Sequence, residues 1–215
     1  MIEKRKEKKR SLLDPDRLFW RAVSGFMDLV YVSILWFFCS IPIVTVGAAT
    51  TAMYSTVVHC IRRGEEGMLH RFFTTFKSEF KTATLSWLTW LAGLLFCLVL
   101  GIFLMAQEET VLGMVFRVNL VVTCVVVLGA LVWVFPVVSR FEMSFLRLNL
   151  TAVKLVFQYF PVTLILGALM IPAAFACYIW MYPVLILPAL LSWLFSLYME
   201  RIFVRLAPQP EEDLT

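Results

Sequence analysis

The sequence predicts an all-α polytopic membrane protein: a bundle of about six transmembrane helices with amphipathic helices on its cytoplasmic side. Hydrophobic residues make up 61% of the 215-residue chain and charged residues only 16%, against roughly 45–50% and about 25% in soluble globular proteins. The charges are also unevenly placed, since residues 82–107, 118–139 and 155–199 contain none. Lipid offers no hydrogen-bond partners, and about 20 apolar residues span it as a helix, so these runs predict membrane helices.

The first apolar stretch, residues 29–61, is long for one crossing and short for two. Pro42 and Gly47 lie near its centre, and both disfavour a continuous helix. We therefore predict a Pro/Gly-broken hairpin of two helices. The alternative is a re-entrant hairpin with Asp28 at the membrane interface. In a spanning hairpin Asp28 would lie inside the bilayer, where an unpaired carboxylate costs about 2.5–3.5 kcal/mol.

The distribution of Lys and Arg predicts the orientation, because these residues concentrate on the cytoplasmic flanks of membrane helices. Eight precede the first apolar stretch and five follow it, so this stretch crosses an even number of times. With both termini in the cytoplasm, 18 of the 19 basic residues are cytoplasmic and Arg117 lies outside. A single long first helix would leave the eight basic residues of the N-terminal arm outside and is rejected.

The later helices follow from the same rules. Pro161 marks the start of the last apolar run and Pro183 divides it into two helices. One transmembrane domain, residues 17–206, thus lies between a basic cytoplasmic arm (1–16) and a disordered acidic tail (207–215). Its predicted membrane helices span residues 18–41, 46–61, 82–106, 118–138, 161–180 and 183–200.

Two segments between the membrane helices have the pattern of amphipathic helices at the inner membrane surface. After a turn at residues 64–67, apolar residues recur at helical spacing among Lys77, Ser78 and Lys81. Residues 140–157 show a similar pattern. We expect both segments to offer surfaces to protein partners.

The chain carries few residues suited to catalysis. Its five cysteines and two histidines form no cluster with metal-ligand spacing. Phosphate-binding loops, nucleophile elbows and zinc-protease motifs are also absent from the sequence. We therefore expect no enzyme activity, no cofactor and no metal site, and nothing in the sequence indicates nucleic-acid binding.

The polar and small residues of the apolar stretches have two interpretations. A polar seam would be functional, since an intramembrane carboxylate is a functional candidate by default. The candidate seam consists of Asp28, Thr45, Thr50, Thr51, Tyr54 and Ser55. The alternative is helix packing, for which small residues at every fourth position are typical. The candidate packing residues are Pro42, Gly47, Gly93, Cys97 and Gly101.

Three segments resemble a known family. The first is Leu35-Trp36-Phe37-Phe38-Cys39-Ser40-Ile41-Pro42-Ile43-Val44-Thr45-Val46-Gly47-Ala48-Ala49-Thr50-Thr51-Ala52-Met53-Tyr54. The others are Phe73-Thr74-Thr75-Phe76-Lys77-Ser78-Glu79-Phe80-Lys81-Thr82-Ala83-Thr84 and Phe135-Pro136-Val137-Val138-Ser139-Arg140-Phe141. They resemble the YesL family, bacterial membrane proteins classed as a domain of unknown function. The order and spacing of Pro, Thr and Gly in the first segment carry most of the resemblance.

The resemblance implies a small multi-pass protein of the bacterial cell membrane. Members are often encoded beside carbohydrate-uptake permeases, polysaccharide-degrading enzymes and sensor kinases, and have no agreed functional residues. We therefore expect an accessory or regulatory protein of carbohydrate uptake or sensing. Its expected partners are the lipid bilayer, a sugar permease or sensor kinase, or a second copy of the chain. The alternative is a small-solute transporter or channel, because interrupted helices often build solute sites.

Overall fold

The computed structural model describes residues 15–105, 110–141, 143–180 and 182–206, and within these ranges the chain is helical with no β-strand. The α-helices in these ranges are α1 Pro15–Ser40, α2 Val46–Thr56, α3 Met68–Ser78, α4 Phe80–Met105, α5 Val111–Arg140, α6 Phe145–Gln158, α7 Phe160–Ile179 and α8 Leu187–Leu206. Three short helical segments of other types adjoin these α-helices: 3₁₀ turns at Ile43–Thr45 and Tyr182–Leu185, and a π-helical turn at Val57–Arg62. The predicted all-α class is confirmed.

Six segments of the described chain are long and apolar enough to cross a membrane, as expected of a polytopic membrane protein. They are Val23–Ser40, Ile43–Arg62, Phe80–Met105, Val111–Arg140, Phe160–Cys177 and Leu187–Val204. Helix α4, with 26 residues, rises about 39 Å at 1.5 Å per residue, which exceeds a hydrocarbon core of about 30 Å. The shorter helices α3 and α6 are the two amphipathic segments.

Pro42 separates the first two membrane segments. Helix α1 ends two residues before it, and the Thr45 amide donates to the Pro42 carbonyl at 3.0 Å, which closes the 3₁₀ turn. Gly47 lies inside α2 rather than in the turn. A Cβ at Gly47 would lie 2.6 Å from both the Ala83 carbonyl oxygen and the Trp87 Cβ. The interruption therefore rests on Pro42, and Gly47 allows α2 to approach α4 closely.

Helix α5 starts earlier than predicted. The sequence placed its start at residue 118, directly after Arg117, whereas the structure begins the helix at Val111. Arg117 is only partly exposed, and its Nη2 donates to the Leu104 carbonyl of α4 at 3.3 Å. The charged side chain thus has a partner on the neighbouring helix and does not end the apolar segment.

Helix α8 is shifted from its predicted span of 183–200. It begins at Leu187 after the second 3₁₀ turn and continues past Glu200 to Leu206. Glu200 is paired inside the bundle, so the helix need not end where its charge appears. Helix α1 begins at Pro15 instead of residue 18, since a first helical position tolerates proline. The rest of the predicted basic arm and the tail 207–215 lie outside the described residues.

The second half of α5 forms the centre of the packing, and its residues 133–138 are all buried. Trp133 is fully buried, and its Nε1 donates to the Thr163 hydroxyl of α7 at 2.8 Å. The Trp133 ring also contacts Phe203 of α8, with centroids 6.3 Å apart. At Gly129, an added Cβ would lie 2.9 Å from the Thr163 methyl carbon. Helix α5 therefore joins α7 and α8 through one buried surface.

The turn between α1 and α2 lies beside the early part of α4. The Trp87 Nε1 donates to the Ile43 carbonyl at 2.8 Å. From Trp87, α4 continues for 18 residues to Met105, a rise of about 27 Å. The α4–α5 hairpin thus extends well beyond this turn. Its distant half exposes apolar side chains, as does the turn itself at Ile41 and Val44, which suits contact with lipid acyl chains.

The contrast between two glycines of the bundle gives a stability prediction. Gly47→Ala is expected to lower the melting temperature of the purified protein in mild detergent, because overpacking typically costs about 1–3 kcal/mol. Gly93→Ala is the matched control: its Cβ would meet the Val127 methyl groups at an ordinary 3.8 Å. Alanine also favours the helix over glycine, so the control should melt at or above the wild-type temperature. Equal melting temperatures for both variants would contradict the close α2–α4 contact.

Candidate functional site

Thr45, the first threonine of the predicted seam, completes the turn between α1 and α2. Its hydroxyl lies 2.6 Å from the Cys39 carbonyl and 2.8 Å from the Pro42 carbonyl, both near the end of α1. The last carbonyl groups of a helix have no partner inside the helix. The Thr45 side chain therefore helps to satisfy the end of α1.

Thr50 and Thr51 bond to the backbone of their own helix. The Thr50 hydroxyl donates to the Val46 carbonyl at 2.7 Å and accepts from the Trp36 Nε1 of α1 at 3.0 Å. The buried Thr51 hydroxyl donates to the Gly47 carbonyl at 3.0 Å. Such bonds satisfy a hydroxyl inside an apolar segment without a solute or water. Both hydroxyls are therefore satisfied by the protein itself, and the Trp36–Thr50 bond also ties α2 to α1.

Ser55 connects α2 to the amphipathic helix α3. Its hydroxyl lies 3.3 Å from the Arg71 Nε and 3.3 Å from the Thr75 hydroxyl. Both partners belong to α3. The end of α2 is therefore tied to α3 by polar contacts as well as by the buried Phe72 ring.

Asp28 lies apart from the turn threonines. It is partly exposed on α1 and within electrostatic range of Cys60 in the π-helical turn. Thr45 and Cys60 are at opposite ends of the second membrane segment, about 22 Å apart at 1.5 Å per residue. The structure therefore does not bring Asp28 and Thr45 together in one seam.

Tyr54 points to a site that the sequence did not reveal. The residue is 3% exposed, and its hydroxyl has no hydrogen-bond partner among the described residues. The hydroxyl lies within electrostatic range of Glu200, Arg62 and Arg140. A buried tyrosine hydroxyl normally has a partner, and the charged groups around this one belong to α8, the π-helical turn and α5.

A charged network surrounds Glu200, and we call it the basic-end network: Arg62, Arg63, Arg140, Glu200 and Arg201. The Glu200 Oε2 lies 2.7 Å from the Arg140 Nη2 and 3.5 Å from the Arg63 Nη2. The Glu200 side chain is only 10% exposed. Through this carboxylate, the ends of α5 and α8 and the π-helical turn after α2 meet at one end of the bundle, the basic end.

Arg62 adds a second bond between the same elements. Its Nη1 donates to the Ser196 carbonyl of α8 at 2.7 Å. Ser196 lies one turn before Glu200, and its own hydroxyl donates to the Trp193 carbonyl at 2.6 Å. The π-helical turn is therefore joined to α8 by an arginine–carbonyl bond and by the Arg63–Glu200 ion pair.

The loop that follows the π-helical turn is closed by a hydrogen bond between His59 and Glu65. The His59 Nδ1 and Glu65 Oε1 lie 2.9 Å apart, and Gly64 and Gly67 have positive φ angles, as the predicted turn requires. The hydrogen bond from His59 and the neighbouring basic groups hold the pKa of Glu65 below its ordinary value of 4.5. Because the folded pKa is the lower one, Glu65 contributes stability above pH 4.5 that is lost as the pH falls through its folded pKa.

The candidate packing residues of α4 face α5. A Cβ at Gly93 would contact Val127, and one at Gly101 would lie 3.4 Å from Leu120. Cys97 is buried between these two positions and lies close to the Cys124 thiol of α5. The stripe of small residues is thus the α4 side of the α4–α5 contact. Among the described residues, no group of three His, Cys, Asp or Glu side chains could hold a metal ion.

Part of the chain matches the model of a known protein family. The family model described as "Protein of unknown function, DUF624" matches residues 29–102. The chain is similar to this family over about a third of its length. The matched range covers the first hairpin, α3 and most of α4, and therefore includes two of the three segments quoted above for the family resemblance. No curated protein and no solved structure matches the chain.

The basic-end network supports a prediction about stability. Glu200→Ala would leave two arginines without their carboxylate, and breaking a buried ion pair typically costs about 3–5 kcal/mol. Because Arg140 is 24% exposed and Arg63 43% exposed, we expect a loss near the lower bound, measured as a lower melting temperature in detergent. Glu66→Ala in the exposed loop is the control and should melt like the wild type.

A double substitution tests whether the Arg140 and Glu200 charges stabilise the protein by pairing with each other. In Arg140→Met with Glu200→Met, both charges leave the interior together. Replacing both members of a buried pair by apolar residues is often neutral, so the double variant should melt closer to the wild type than Glu200→Ala does. If the double variant loses as much stability as Arg140→Met and Glu200→Met lose in sum, the two charges do not stabilise each other.

Proposed function

We propose that this chain is a YesL-like protein of the bacterial plasma membrane, accessory or regulatory to carbohydrate uptake or sensing, and not an enzyme. The support is the family resemblance of the sequence and the match of residues 29–102 to a family of unknown function. Six long apolar segments agree with the small multi-pass proteins that this resemblance implies.

We further propose that the basic end of the bundle faces the cytoplasm, together with both chain termini. Lys and Arg concentrate on the cytoplasmic side of membrane proteins. The Arg63–Glu200 and Arg140–Glu200 pairs place the ends of three membrane segments at the same end, as this orientation requires. The amphipathic helix α3 adjoins that end through the Arg71–Ser55 contact.

The observation that carries an accessory role is that polar side chains of the first hairpin serve packing. Thr45, Thr50 and Thr51 bond to backbone carbonyls, and Ser55 bonds to α3. A solute pathway along α2 would need such groups free to replace the solute's hydration. Bonds of this kind instead support a rigid element that holds the rest of the bundle.

The surface proposed to contact a partner lies on α6. Leu146, Leu150 and Phe157 are 70%, 62% and 62% exposed. Their spacing follows the helical repeat, so they lie on one side of α6. Arg147 and Lys154 lie among them. Because α6 directly precedes a membrane segment, this apolar and basic surface suits another membrane protein at the inner interface, and the family setting favours a sugar permease or a sensor kinase.

Affinity purification from native membranes tests the accessory role. We expect the tagged wild-type protein to recover a sugar permease or sensor kinase in mild detergent. Leu150→Gln with Phe157→Gln should reduce this recovery at least several-fold. The control pair, Phe96→Gln with Ile102→Gln, changes equally exposed apolar residues on α4 and should retain it.

Two results together would contradict the accessory role: recovery of neither kind of partner by the wild-type protein, and unchanged growth of a deletion strain on complex sugars. Recovery that is equal for both double variants would instead contradict the assignment of α6 as the contact surface.

Transport is a second candidate, favoured by the π-helical turn Val57–Arg62. Such turns occur frequently at functional sites, and this one follows a Pro-interrupted hairpin. If the chain is a transporter, purified protein in proteoliposomes should take up a small solute, and Asp28→Asn or Thr51→Val should reduce the flux. Absence of flux across a broad set of sugars, amino acids and ions would contradict this candidate.

A further inference from the structure

An open cleft lies against the basic-end network, between the π-helical turn and α8. Its volume is about 550 Å³. It is lined by Val58, Arg62, Arg63, Glu200, Arg201 and Val204. Three arginines thus surround a single carboxylate, and two valines supply apolar walls.

The arginines of the cleft are not neutralised by this carboxylate. Oε2 of Glu200 is bonded most closely to Arg140, at 2.7 Å, and more distantly to Arg63, at 3.5 Å. Arg62 uses Nη1 for the Ser196 carbonyl, which carries no full charge. Arg201 is exposed and has no hydrogen bond or ion pair within the part of the chain that the structure describes. The cleft therefore carries an excess of positive charge that suits an anion.

A second observation points to a ligand with a hydrogen-bond donor. Glu200 is 8% exposed, and its Oε1 is buried with no hydrogen-bond partner among the described residues. A buried carboxylate oxygen without a partner is costly, and each such atom calls for an explanation. The Tyr54 hydroxyl, also buried without a partner, lies within electrostatic range of Glu200 but makes no hydrogen bond to it. A ligand hydroxyl would satisfy Oε1 without a further charge if the carboxylate turned toward the cleft.

We propose that this cleft binds a phosphate ester that carries a free hydroxyl group. Guanidinium groups recognise phosphate through charge-assisted and often bidentate hydrogen bonds. The Arg62, Arg63 and Arg201 side chains would take the phosphate, and the Glu200 Oε1 would accept from the hydroxyl. Two sources share this chemistry: the headgroup of a phosphatidylglycerol-type lipid, and a soluble sugar phosphate.

The position of the cleft is compatible with both sources. Basic pockets beside membrane helices on the cytoplasmic side bind anionic lipid headgroups. Val204 is 68% exposed and could contact an acyl chain, whereas the open side of the cleft admits a soluble molecule. The proposal concerns the ligand of the basic end and does not depend on a role in carbohydrate uptake.

Binding is tested on the full-length protein by two parallel measurements. The first is thermal unfolding in neutral detergent with glycerol 3-phosphate, glucose 6-phosphate or inorganic phosphate. The second is native mass spectrometry after release from nanodiscs of phosphatidylcholine with or without phosphatidylglycerol. We expect either a melting temperature raised by a soluble ester or selective retention of phosphatidylglycerol, and these two results distinguish the sources.

Substitutions in the cleft test whether the ligand binds there. Arg62→Gln with Arg201→Gln should weaken the binding at least tenfold, and Arg201→Gln alone, at an exposed position, should weaken it without unfolding the protein. The control is Arg147→Gln, which removes one exposed arginine from α6 and should bind as the wild type does. The hydroxyl contact predicts that a soluble ester raises the melting temperature more than inorganic phosphate does at equal concentration.

Three outcomes would overturn the proposal. One is the lack of both a soluble-ester shift and phosphatidylglycerol retention. Another is binding that Arg201→Gln and Arg147→Gln weaken equally, because it would then reflect overall charge. The third is a shift no larger with the esters than with inorganic phosphate, with no lipid retained, since this would remove the hydroxyl contact.

Discussion

The need to satisfy every polar group inside an apolar environment governs this structure. In lipid, unpaired backbone groups cost several kcal/mol each, so the apolar segments are helical throughout. The same need explains the side chains. The Thr50 and Thr51 hydroxyls bond to carbonyls one turn earlier, and the Trp133 Nε1 finds Thr163 on another helix. Three of the six residues predicted as a polar seam, Thr45, Thr50 and Thr51, therefore bond to the protein's own backbone.

The fold class and most helices could be predicted from the sequence because they depend on local quantities. Runs without charge fix where a helix can cross, and Pro42 fixes where the first hairpin turns. Charge was a poor guide to the helix ends. Arg117 and Glu200 both lie inside helices, since each has a partner on a neighbouring helix that lowers the cost of placing it there. Such pairing depends on tertiary structure and leaves no local signal.

The candidate site was less predictable for the same reason. Tyr54 was identified because it lies in a conspicuous polar segment, whereas Glu200 and Arg140 lie at the ends of apolar runs, where charged residues are usual. The two are separated by 60 positions in the chain, and no spacing rule connects them. Asp28 and Thr45 are grouped by the sequence analysis but lie apart in the structure. They are 17 positions apart in the chain, but Asp28 lies within electrostatic range of Cys60, whereas Thr45 lies at the other end of the second membrane segment.

If the cleft binds the proposed phosphate ester, the basic-end network gives that ligand a route to other parts of the bundle. One carboxylate, Glu200 of α8, holds Arg140 of α5 and Arg63 after α2, and so couples these three parts of the chain. Arg63 makes the longer contact with Glu200 and is more exposed than Arg140. Its contact with Glu200 is therefore the easier of the two to replace by a contact with a phosphate. An anion that drew Arg63 away would leave the Arg140–Glu200 pair intact while loosening the π-helical turn from α8. A local change in charge would then reach α3, through the continuous segment that joins Arg63 to the helix held by Ser55.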